Sequence, residues 1–523
     1  MSFGAEGPSW AISTPHTAAT DAGVAAFERG GNALDAALHA AITLTVAYPH
    51  MCGVGGDLFA LIQRPDGEVL ALNASGRSPR GADPEAARTH HPEMPERGPV
   101  PVTVPGAVSG WHELHANGAE LPWSDAFEAA ARLAFDGIEV SHSLADILAD
   151  PDAPHAADPL LGPLFYPAGA PLPVGATVVQ SALGTTLATL AERGPGTLYG
   201  GALGAAYAEG LAARGVPVAL EDLAAHRATI LAPLRAPFGG FHVSVVPPNS
   251  QGFTLLEILA LADRLGLDAD PHGPDAGTLA RVVAAAARDR ERHLADPDAM
   301  LLHPSVLLDD GHLAGIADEI RAGVPDAPAA PATRGDTVAL VAADARGWAV
   351  SLIQSLFWDF GSGIGEETTG IVAQNRGACF TLQPDHPNAF APGKLPAHTL
   401  MPALVHDERG LAAVAGTMGG YGQPQIDAQT IAHAIVAGRS AADAIAAPRW
   451  IIERREPGDA GPLALVEEGL PTPVVDAIAS AGFATLPVGR RTEALGHAHL
   501  IRLGPGGFDV GSDPRADGGA AAG

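Results

Sequence analysis

Residues 334–357 read RGDTVALVAADARGWAVSLIQSLF and mark a change in the pattern of the chain. Short apolar runs over 338–342 and 348–356, separated by a turn, predict a pair of β-strands, because runs of this length bounded by turn residues favour strands. A Pro/Ala-rich segment over 324–333 comes immediately before them and predicts an exposed linker. The pattern therefore places Thr337 at the start of a strand that follows a linker.

Helical patterns dominate the chain outside this strand pair. They cover 17–47, 124–136, 180–193, 203–214, 253–265, 275–294, 424–437 and 472–481. A hairpin is predicted over 57–74, where the turn PDG separates two short apolar runs. We expect an irregular surface connection over 149–175 and a disordered Gly/Ala-rich tail from Ser512 onward. Helices combined with strand pairs fit several α+β folds, so periodicity alone leaves the fold open.

The charge of the chain limits the classes of molecule that it is expected to bind. The 523 residues are 47% hydrophobic and carry a formal charge of −29 at pH 7. Nucleic acids and anionic membranes are bound by clustered Lys and Arg, so the acidic balance argues against both as partners. The N-terminus has no basic segment followed by an apolar one, no long uncharged apolar run occurs, and the cysteines number 2. These features predict a cytoplasmic protein without a membrane span.

Two short motifs suggest chemistry that their context does not support. The glycine cluster GVGG at 53–56 could cradle a phosphate, but it lacks the lysine and the preceding strand of a nucleotide-binding loop. The motif HELH at 112–115 spaces its histidines three apart rather than four, unlike the zinc proteases. We therefore expect no cofactor and no catalytic metal.

A series of short motifs runs along most of the chain, from about residue 10 to 500, each of them weak by itself. They are GGNALDAA at 30–37, PH at 49–50, GVGG at 53–56, VPG at 104–106, LPW at 121–123, AFDG at 134–137, PPNSQG at 247–252, DR at 289–290, DPD at 296–298 and GDT at 335–337. In this order they resemble the γ-glutamyltranspeptidase family of N-terminal-nucleophile hydrolases. The resemblance implies an α+β fold of the four-layer αββα sandwich type. It also implies a precursor cut into a large chain, 1–336, and a small chain, 337–523, which stay intertwined as one catalytic domain.

The resemblance identifies Thr337 as the nucleophile and the bond between Asp336 and Thr337 as the site of self-cleavage. Once this bond is broken, Thr337 has a free α-amino group, whose usual pKa of roughly 7.7–8 leaves a neutral fraction at neutral pH. That amine can act as the base for the hydroxyl of the same residue. Strand propensity alone would make Thr337 an ordinary strand residue.

By the same resemblance, Ser355 supplies a second hydroxyl beside the nucleophile, and Gly419 and Gly420 stabilise the oxyanion. Backbone N–H groups of glycine suit this task, because no Cβ stands between them and the substrate. Without the resemblance, an ordinary tight turn would account for the glycine pair.

Four residues are expected to bind the substrate: Arg77, Arg376, His398 and Thr399. Arg77 matches the family arginine that pairs with a substrate carboxylate, for which the planar guanidinium is suited. The glutathione-cleaving members hold the substrate's α-amino group with polar and acidic residues, but this chain has Phe357, Arg376 and Cys379 at those positions. The acidic partner of the ammonium group is therefore missing, and the extra arginine beside the site repels an ammonium group and favours an anion or a carbonyl oxygen.

The expected function is that of a self-cleaving amidohydrolase or acyltransferase acting on a small carboxylate-bearing amide, which is oxamate-like, glutaryl-like or γ-glutamyl-like. True γ-glutamyl transfer or glutathione hydrolysis is the alternative within this class. An alternative from another class is an unprocessed pseudoenzyme that binds a small anion or a partner, since a fold alone does not establish activity.

Overall fold

A computed structural model describes residues 7–151, 153–268, 270–323, 336–454, 462–504 and 506–523. The predicted linker over 324–333 lies outside these residues. Asp336 and Thr337 are described, and they open a strand as the sequence predicts.

Short and medium strands and helices alternate along the chain. The strands are β1 (Trp10–Thr14), β2 (Asp57–Gln63), β3 (Val69–Ala74), β4 (Ile138–Glu139), β5 (Thr177–Val178), β6 (Thr229–Leu231), β7 (Leu234–Phe238), β8 (Phe241–Val245), β9 (Asp336–Asp344), β10 (Ala349–Phe357), β11 (Ile364–Glu366), β12 (Ile371–Ala373), β13 (Ala403–Asp407), β14 (Gly410–Thr417), β15 (Trp450–Arg454), β16 (Pro462–Glu467), β17 (Ala484–Val488), β18 (Ala498–Gly504), β19 (Gly507–Ser512) and β20 (Gly519–Ala522). The helices are α1 (Thr17–Glu28), α2 (Ala33–Ala47), α3 (Pro84–His90), α4 (Ala107–Ala116), α5 (Trp123–Asp136), α6 (His142–Leu148), α7 (Leu161–Phe165), α8 (Ser181–Arg193), α9 (Ala202–Ala213), α10 (Leu220–Ala225), α11 (Gly252–Leu265), α12 (Ala276–His293), α13 (Pro304–Leu307), α14 (Asp310–Arg321), α15 (Gln423–Ile431), α16 (Ala441–Ala446) and α17 (Thr472–Ser480).

Two large sheets stack face to face. The first is 7-stranded in the order β20-β1-β9-β10-β2-β3-β6, and the second is 6-stranded in the order β19-β18-β14-β13-β8-β7. Apolar side chains from both sheets, among them Phe59, Ile353, Leu404 and Val414, form one buried cluster between them. Helices α1, α2 and α4 cover the outer face of the first sheet, and α11 and α15 cover that of the second. The four-layer αββα sandwich expected from the sequence is confirmed.

Helix α2 lies at the centre of the first helical layer. Every residue from Ala33 to Ala47 is buried, as expected of a helix that is apolar almost all round. Asn32 caps its first turn and forms a capping box with Asp35. The Asp35 carboxylate also accepts backbone N–H groups of Glu120 and Leu121, so the cap fixes the position of α2 relative to a second segment.

The middle of the first sheet brings three strand ends together. Strand β10 pairs with β9 on one side and with β2 on the other. The register with β9 shifts between Gln354 and Phe357, so that Phe357 lies opposite Asp336, whereas Ser355 lies opposite Asp57 of β2. This β-bulge places the start of β9 beside the Ser355 side chain.

Strands from both ends of the sequence interleave in this sheet. Strands β9 and β10 follow Asp336 or begin with it, yet they lie between β1 and β2 from the N-terminal part. The hydrogen bonds on both outer edges of the β9–β10 pair therefore join the two parts of the chain.

The predicted disordered tail is wrong. Strand β20 pairs with β1 at the sheet edge, with Ala522 opposite Ala11. The small residues of this segment permit a close approach: a Cβ added to Gly518 would lie 2.0 Å from the Thr14 carbonyl oxygen. The Gly/Ala composition thus reflects backbone packing against β1. The segment over 149–175 is also more ordered than expected, since it contains α7 with Leu161 and Phe165 in the core.

Asp513 is the centre of a buried ion network that ties the C-terminal segment to the second half of the fold. Its two carboxylate oxygens accept from Arg449 at 2.6 Å and from Arg515 at 3.0 Å, and Oδ2 also accepts the Ala498 N–H. All three charged side chains are buried, and Arg515 pairs further with Glu467.

Asp513→Ala should destabilise the fold by about 3–5 kcal/mol, because it leaves two buried guanidinium groups with one carboxylate between them. Denaturant unfolding midpoints of the variant and the wild type measure this loss. Asp318→Ala removes a partner from an exposed ion pair with Arg321 and should leave the midpoint close to that of the wild type. Equal midpoints for both variants would contradict the prediction.

Candidate active site

The hydroxyl of Thr337 lies in a chain of hydrogen bonds at the start of β9. Thr337 Oγ1 donates to Ser355 Oγ at 3.0 Å, and Ser355 Oγ donates to the carbonyl oxygen of Asp336 at 2.7 Å. Thr337 and Ser355 are both fully buried. The side chain of Thr337 is thereby linked, through one other hydroxyl, to the carbonyl of the peptide bond that joins it to Asp336.

The bulge in β10 fixes the Ser355 hydroxyl. Phe357 has a φ of 84°, in the left-handed region that a bulky residue rarely adopts. In this conformation its backbone N–H donates to Ser355 Oγ at 2.7 Å. Backbone strain of this kind costs on the order of 1–3 kcal/mol and concentrates at functional sites. The local backbone therefore holds the Ser355 side chain toward β9.

Arg376 is a buried cation beside Ser355. Its Nη1 donates to Thr399 Oγ1 at 2.9 Å, its Nη2 donates to Ser355 Oγ at 3.3 Å, and its Cζ lies 4.1 Å from the centroid of the Phe357 ring. Its remaining contact is a long one to Cys379 Sγ at 3.8 Å. Within the described ranges, no Asp or Glu forms an ion pair with this guanidinium. A buried guanidinium held by neutral groups is suited to receive an anion.

His398 and Asp57 form a second buried polar group at this end of the sheet. Nε2 of His398 and Oδ2 of Asp57 are hydrogen-bonded at 3.2 Å. The other oxygen of Asp57 accepts the Gly76 N–H at 3.0 Å and Gln374 Nε2 at 2.9 Å. Burial raises the pKa of Asp57 to about 7. Burial, with the nearby Arg376 charge, lowers the pKa of His398 well below its ordinary value.

Gly419 and Gly420 form a turn directly after β14. Their φ angles of 136° and 53° favour glycine. Gln251 Nε2 donates to the carbonyl of Gly420 at 2.9 Å and to that of Thr399 at 2.6 Å. Since the Thr399 hydroxyl bonds Arg376, a continuous set of hydrogen bonds runs from the glycine turn to Thr337.

Arg77 stands apart from this set. Its Nη1 donates to Asp296 Oδ2 at 2.9 Å and to the Gly393 carbonyl at 3.0 Å, and its side chain is 48% exposed. The backbone immediately before it joins the site, since the Gly76 N–H bonds Asp57. The structure thus links Thr337, Ser355, Arg376 and Thr399 by direct hydrogen bonds and connects the glycine turn through Gln251. It leaves Arg77 at a more open position.

Several residues of the site received no role from the sequence. Gln251 belonged to a motif that indicated the family without indicating a contact, Gln374 carried no local signal, and Asp57 was assigned no role. Glu493 is another such residue: burial raises its pKa to about 7, and the Asp336 charge acts in the same direction. The signal that could have found Asp57 is its position at the start of a strand after a glycine cluster, where a charge is costly unless it is bonded.

The glycine cluster at 53–56 serves packing in the described structure. A Cβ on Gly55 would lie 2.0 Å from the Val372 carbonyl oxygen, and one on Gly56 would lie 2.4 Å from that of Ser355. The cluster therefore lets a loop pass close to the backbone of β10. Two groups of His and carboxylate side chains with metal-ligand spacing occur among the described residues, and both consist of residues other than those of the Thr337 site. In the described parts of the chain, the helices are too short or too polar to cross a bilayer.

Comparisons with known proteins point to one family. The sequence profile of the family described as gamma-glutamyltranspeptidase matches residues 19–523. The chain is 39% identical to the oxamate amidohydrolase proenzyme of Klebsiella pneumoniae, over 97% of each chain. It is 33% identical to the glutathione hydrolase-like YwrD proenzyme of Bacillus subtilis, also over 97% of each. Among solved structures, cephalosporin acylase from Bacillus halodurans superposes with a TM-score of 0.90 at 31% identity, covering 99% of this chain and 96% of that one.

The raised pKa of Asp57 gives the fold a pH dependence with a definite sign. The folded chain keeps this proton up to about pH 7, whereas the unfolded chain releases it near its ordinary value of 3.8. Between about pH 4 and about pH 7 the folded state binds more protons, so Asp57 makes the fold less stable as the pH rises. Asp57→Asn cannot titrate, and its unfolding temperature should fall less than that of the wild type across this interval. If the unfolding temperatures of the wild type and Asp57→Asn change in parallel with pH, the assignment to Asp57 is contradicted. Asp318→Asn, at an exposed position, is the control.

Proposed function

Because this chain belongs to the γ-glutamyltranspeptidase family, we propose that it is a self-cleaving amidohydrolase that uses Thr337 as its N-terminal nucleophile. The observation that carries the proposal is the hydrogen-bonded chain from Thr337 Oγ1 through Ser355 Oγ to the Asp336 carbonyl oxygen. It brings together the attacking hydroxyl of Thr337, the Ser355 hydroxyl as hydrogen-bond donor, and the carbonyl of the peptide bond between Asp336 and Thr337. The relatives named as proenzymes support a precursor that is processed.

Self-cleavage uses the hydrogen bonds already described. Thr337 Oγ attacks the carbonyl carbon of Asp336, and the Ser355 hydroxyl stabilises the negative charge that develops on the carbonyl oxygen. The C–N bond then breaks, the proton from the threonine hydroxyl goes to the leaving amine, and an ester joins Asp336 to Thr337 Oγ. Water hydrolyses this ester, which yields the Asp336 carboxylate together with a free hydroxyl and a free amine on Thr337.

The mature site carries out the same attack on a substrate amide. The free amine of Thr337 takes the proton of its own hydroxyl, which attacks the substrate carbonyl. Backbone N–H groups of Gly419 and Gly420 stabilise the oxyanion, and the amine leaves with the proton. Water, or another amine, then takes the acyl group from Thr337.

The charges of the site favour an acyl group that carries a carboxylate. Arg376 is a buried cation with hydrogen bonds to neutral groups, among them the Thr399 hydroxyl, and its charge acts on the buried His398 ring. Arg77 offers a second, half-exposed guanidinium at the more open position. Oxamate-like and glutaryl-like amides suit this arrangement. A γ-glutamyl substrate would bring an ammonium group toward Arg376, where it would be repelled and desolvated.

The two products remain one enzyme. Strands β9 and β10 of the proposed small chain, 337–523, lie between β1 and β2 of the proposed large chain, 1–336. The alternatives are true γ-glutamyl transfer within the class and an unprocessed pseudoenzyme outside it. The intact set of hydrogen bonds around Thr337 favours an active enzyme over the pseudoenzyme.

Thr337→Ala should remain a single chain without amidase activity, because it lacks the attacking hydroxyl. The wild type should give two chains whose intact masses correspond to a cut before Thr337. Thr337→Ser keeps both the hydroxyl and the amine and should be cleaved and partly active. Full amidase activity from an uncut wild-type chain would contradict activation by self-cleavage before Thr337.

Arg376→Gln should change the substrate preference. The wild type should cleave glutaryl amides, or oxamate, with a higher kcat/KM than the matching γ-glutamyl amides, and Arg376→Gln should narrow this gap by removing the repulsion of the ammonium group. Arg77→Lys retains the charge but loses the two-pronged geometry, so it should lower kcat/KM for both substrates and leave their ratio near that of the wild type. A wild type that prefers γ-glutamyl substrates by about tenfold, or about 1.4 kcal/mol, would favour glutathione hydrolysis instead.

A further inference from the structure

Three side chains with metal-binding donors meet just beyond the C-terminal ends of α11 and α15. Asp270 and His272 lie on the loop after α11, and His433 lies on a π-helical turn, Ala432–Val436, that continues α15. One donor atom from each of the three lies within 4.8 Å of the others. The group is separate from the residues assigned to catalysis, and π-helical turns are frequent at functional sites.

His433 is buried without a hydrogen bond. It is 2% exposed, and neither ring nitrogen has a hydrogen-bond partner among the described residues. Its Nδ1 lies 3.6 Å from Oδ1 of Asp270, and its ring centroid lies 4.6 Å from that of His272. A buried imidazole without a hydrogen bond costs free energy, so the arrangement calls for a ligand on the nitrogen that faces Asp270.

His272 is oriented as a metal ligand commonly is. Its Nε2–H donates to the Pro448 carbonyl oxygen at 2.8 Å, which leaves the lone pair on Nδ1. Histidines that bind metals usually donate their other N–H to a carbonyl or a carboxylate, because this bond fixes the tautomer and the ring orientation. His272 and Asp270 are partly exposed, so an ion can reach the group from solvent.

We propose that Asp270, His272 and His433 bind one Zn²⁺ ion, with two nitrogen ligands and one oxygen ligand. Imidazole and carboxylate are the donors that zinc takes in proteins, and three protein ligands leave a fourth position for water. Ligands bound at about 2.0–2.1 Å in tetrahedral geometry lie roughly 3.3 Å apart, close to the distance between His433 Nδ1 and Asp270 Oδ1.

The second group with metal-ligand spacing, Glu257, Asp289 and His312, is a weaker candidate. Its His312 Nε2 and Asp289 Oδ2 are already joined at 2.5 Å, which is a direct hydrogen bond and too close for two ligands of one tetrahedral ion. This group therefore serves as the internal comparison for the experiment.

The zinc ion would fasten two segments of the second half of the fold. Helix α15 begins directly after the glycine turn and ends at the π-helical turn with His433. An ion at its far end would therefore hold the helix against the loop after α11. Arg439 Nη2 lies 3.9 Å from Asp270 Oδ1 and competes with the ion for this carboxylate.

Zinc titration of the chelator-treated, tag-free full chain, followed by calorimetry and by the visible absorption of bound Co²⁺, tests the site. The wild type should bind one ion per chain. Asp270→Asn and His272→Ala should each weaken binding by more than about 100-fold, since removing a ligand costs at least as much as removing an outer partner. Arg439→Gln should tighten binding by removing the competing cation.

Asp268→Asn is the matched control, because it removes one acid from the same loop and keeps the oxygen that accepts the Asp270 N–H. It should bind zinc like the wild type. The proposal is overturned if the wild type shows no stoichiometric binding, or if Asp270→Asn and His272→Ala bind normally. Loss of the ion in His312→Ala with retention in His272→Ala would also overturn it, by assigning the metal to the other group.

Discussion

The placement of one hydroxyl, that of Ser355, is the constraint on which the site depends. The regular register of β9 and β10 runs to the pair Gln354–Val338, and its next step would set Ser355 opposite Thr337 on the same face of the sheet. The bulge sets Phe357 opposite Asp336 and brings the Phe357 N–H onto the Ser355 hydroxyl, which donates to the Asp336 carbonyl. The glycine cluster at 53–56 lets a loop approach the same backbone. The cross-strand position of Ser355 and the bulge that follows it together link the Thr337 hydroxyl to the carbonyl of its own peptide bond.

Burial makes the electrostatics of this end of the sheet selective. Arg376 keeps its charge in a region where water is excluded, while Asp57 and His398 are both driven toward their neutral forms by burial. This end of the sheet thus holds a buried arginine although the whole chain carries a charge of −29. The proposed local preference for an anion and the acidity of the whole chain are independent properties, because distant exposed charges are screened by salt.

The sequence predicted the elements whose signal is local. Periodicity predicted the longer helices α2, α5, α8, α11 and α12, the β9–β10 pair and the hairpin of β2 and β3, whereas it missed α4 and α14. The αββα layering followed from the family resemblance. The strands of the second sheet, such as β13 and β14, escaped periodicity because they are buried on both faces between two layers and show no alternation of apolar and polar residues. The tail from Ser512 was misread because glycine and alanine are typical both of disorder and of close backbone packing.

The same distinction separates the site residues that were predicted from those that were not. Thr337, Ser355 and the glycine turn belong to motifs, whereas Asp57 and Gln374 act through contacts between segments that are far apart in sequence. The position of Arg77 is a related case. Its motif indicated a carboxylate clamp, but only the fold places it at a half-exposed position beside Asp296.

The interleaving of β9 and β10 between β1 and β2 affects both how the enzyme folds and how it unfolds. In the uncut chain these strands find their neighbours as parts of one molecule, at an effective concentration set by the connecting chain. The proposed cleavage removes that connection after the sheet has formed. After cleavage, unfolding releases two separate chains. Refolding then requires these chains to meet, so it depends on the protein concentration. The mature protein would thus depend on a slow unfolding rate, because assembly within one molecule is open only to the precursor.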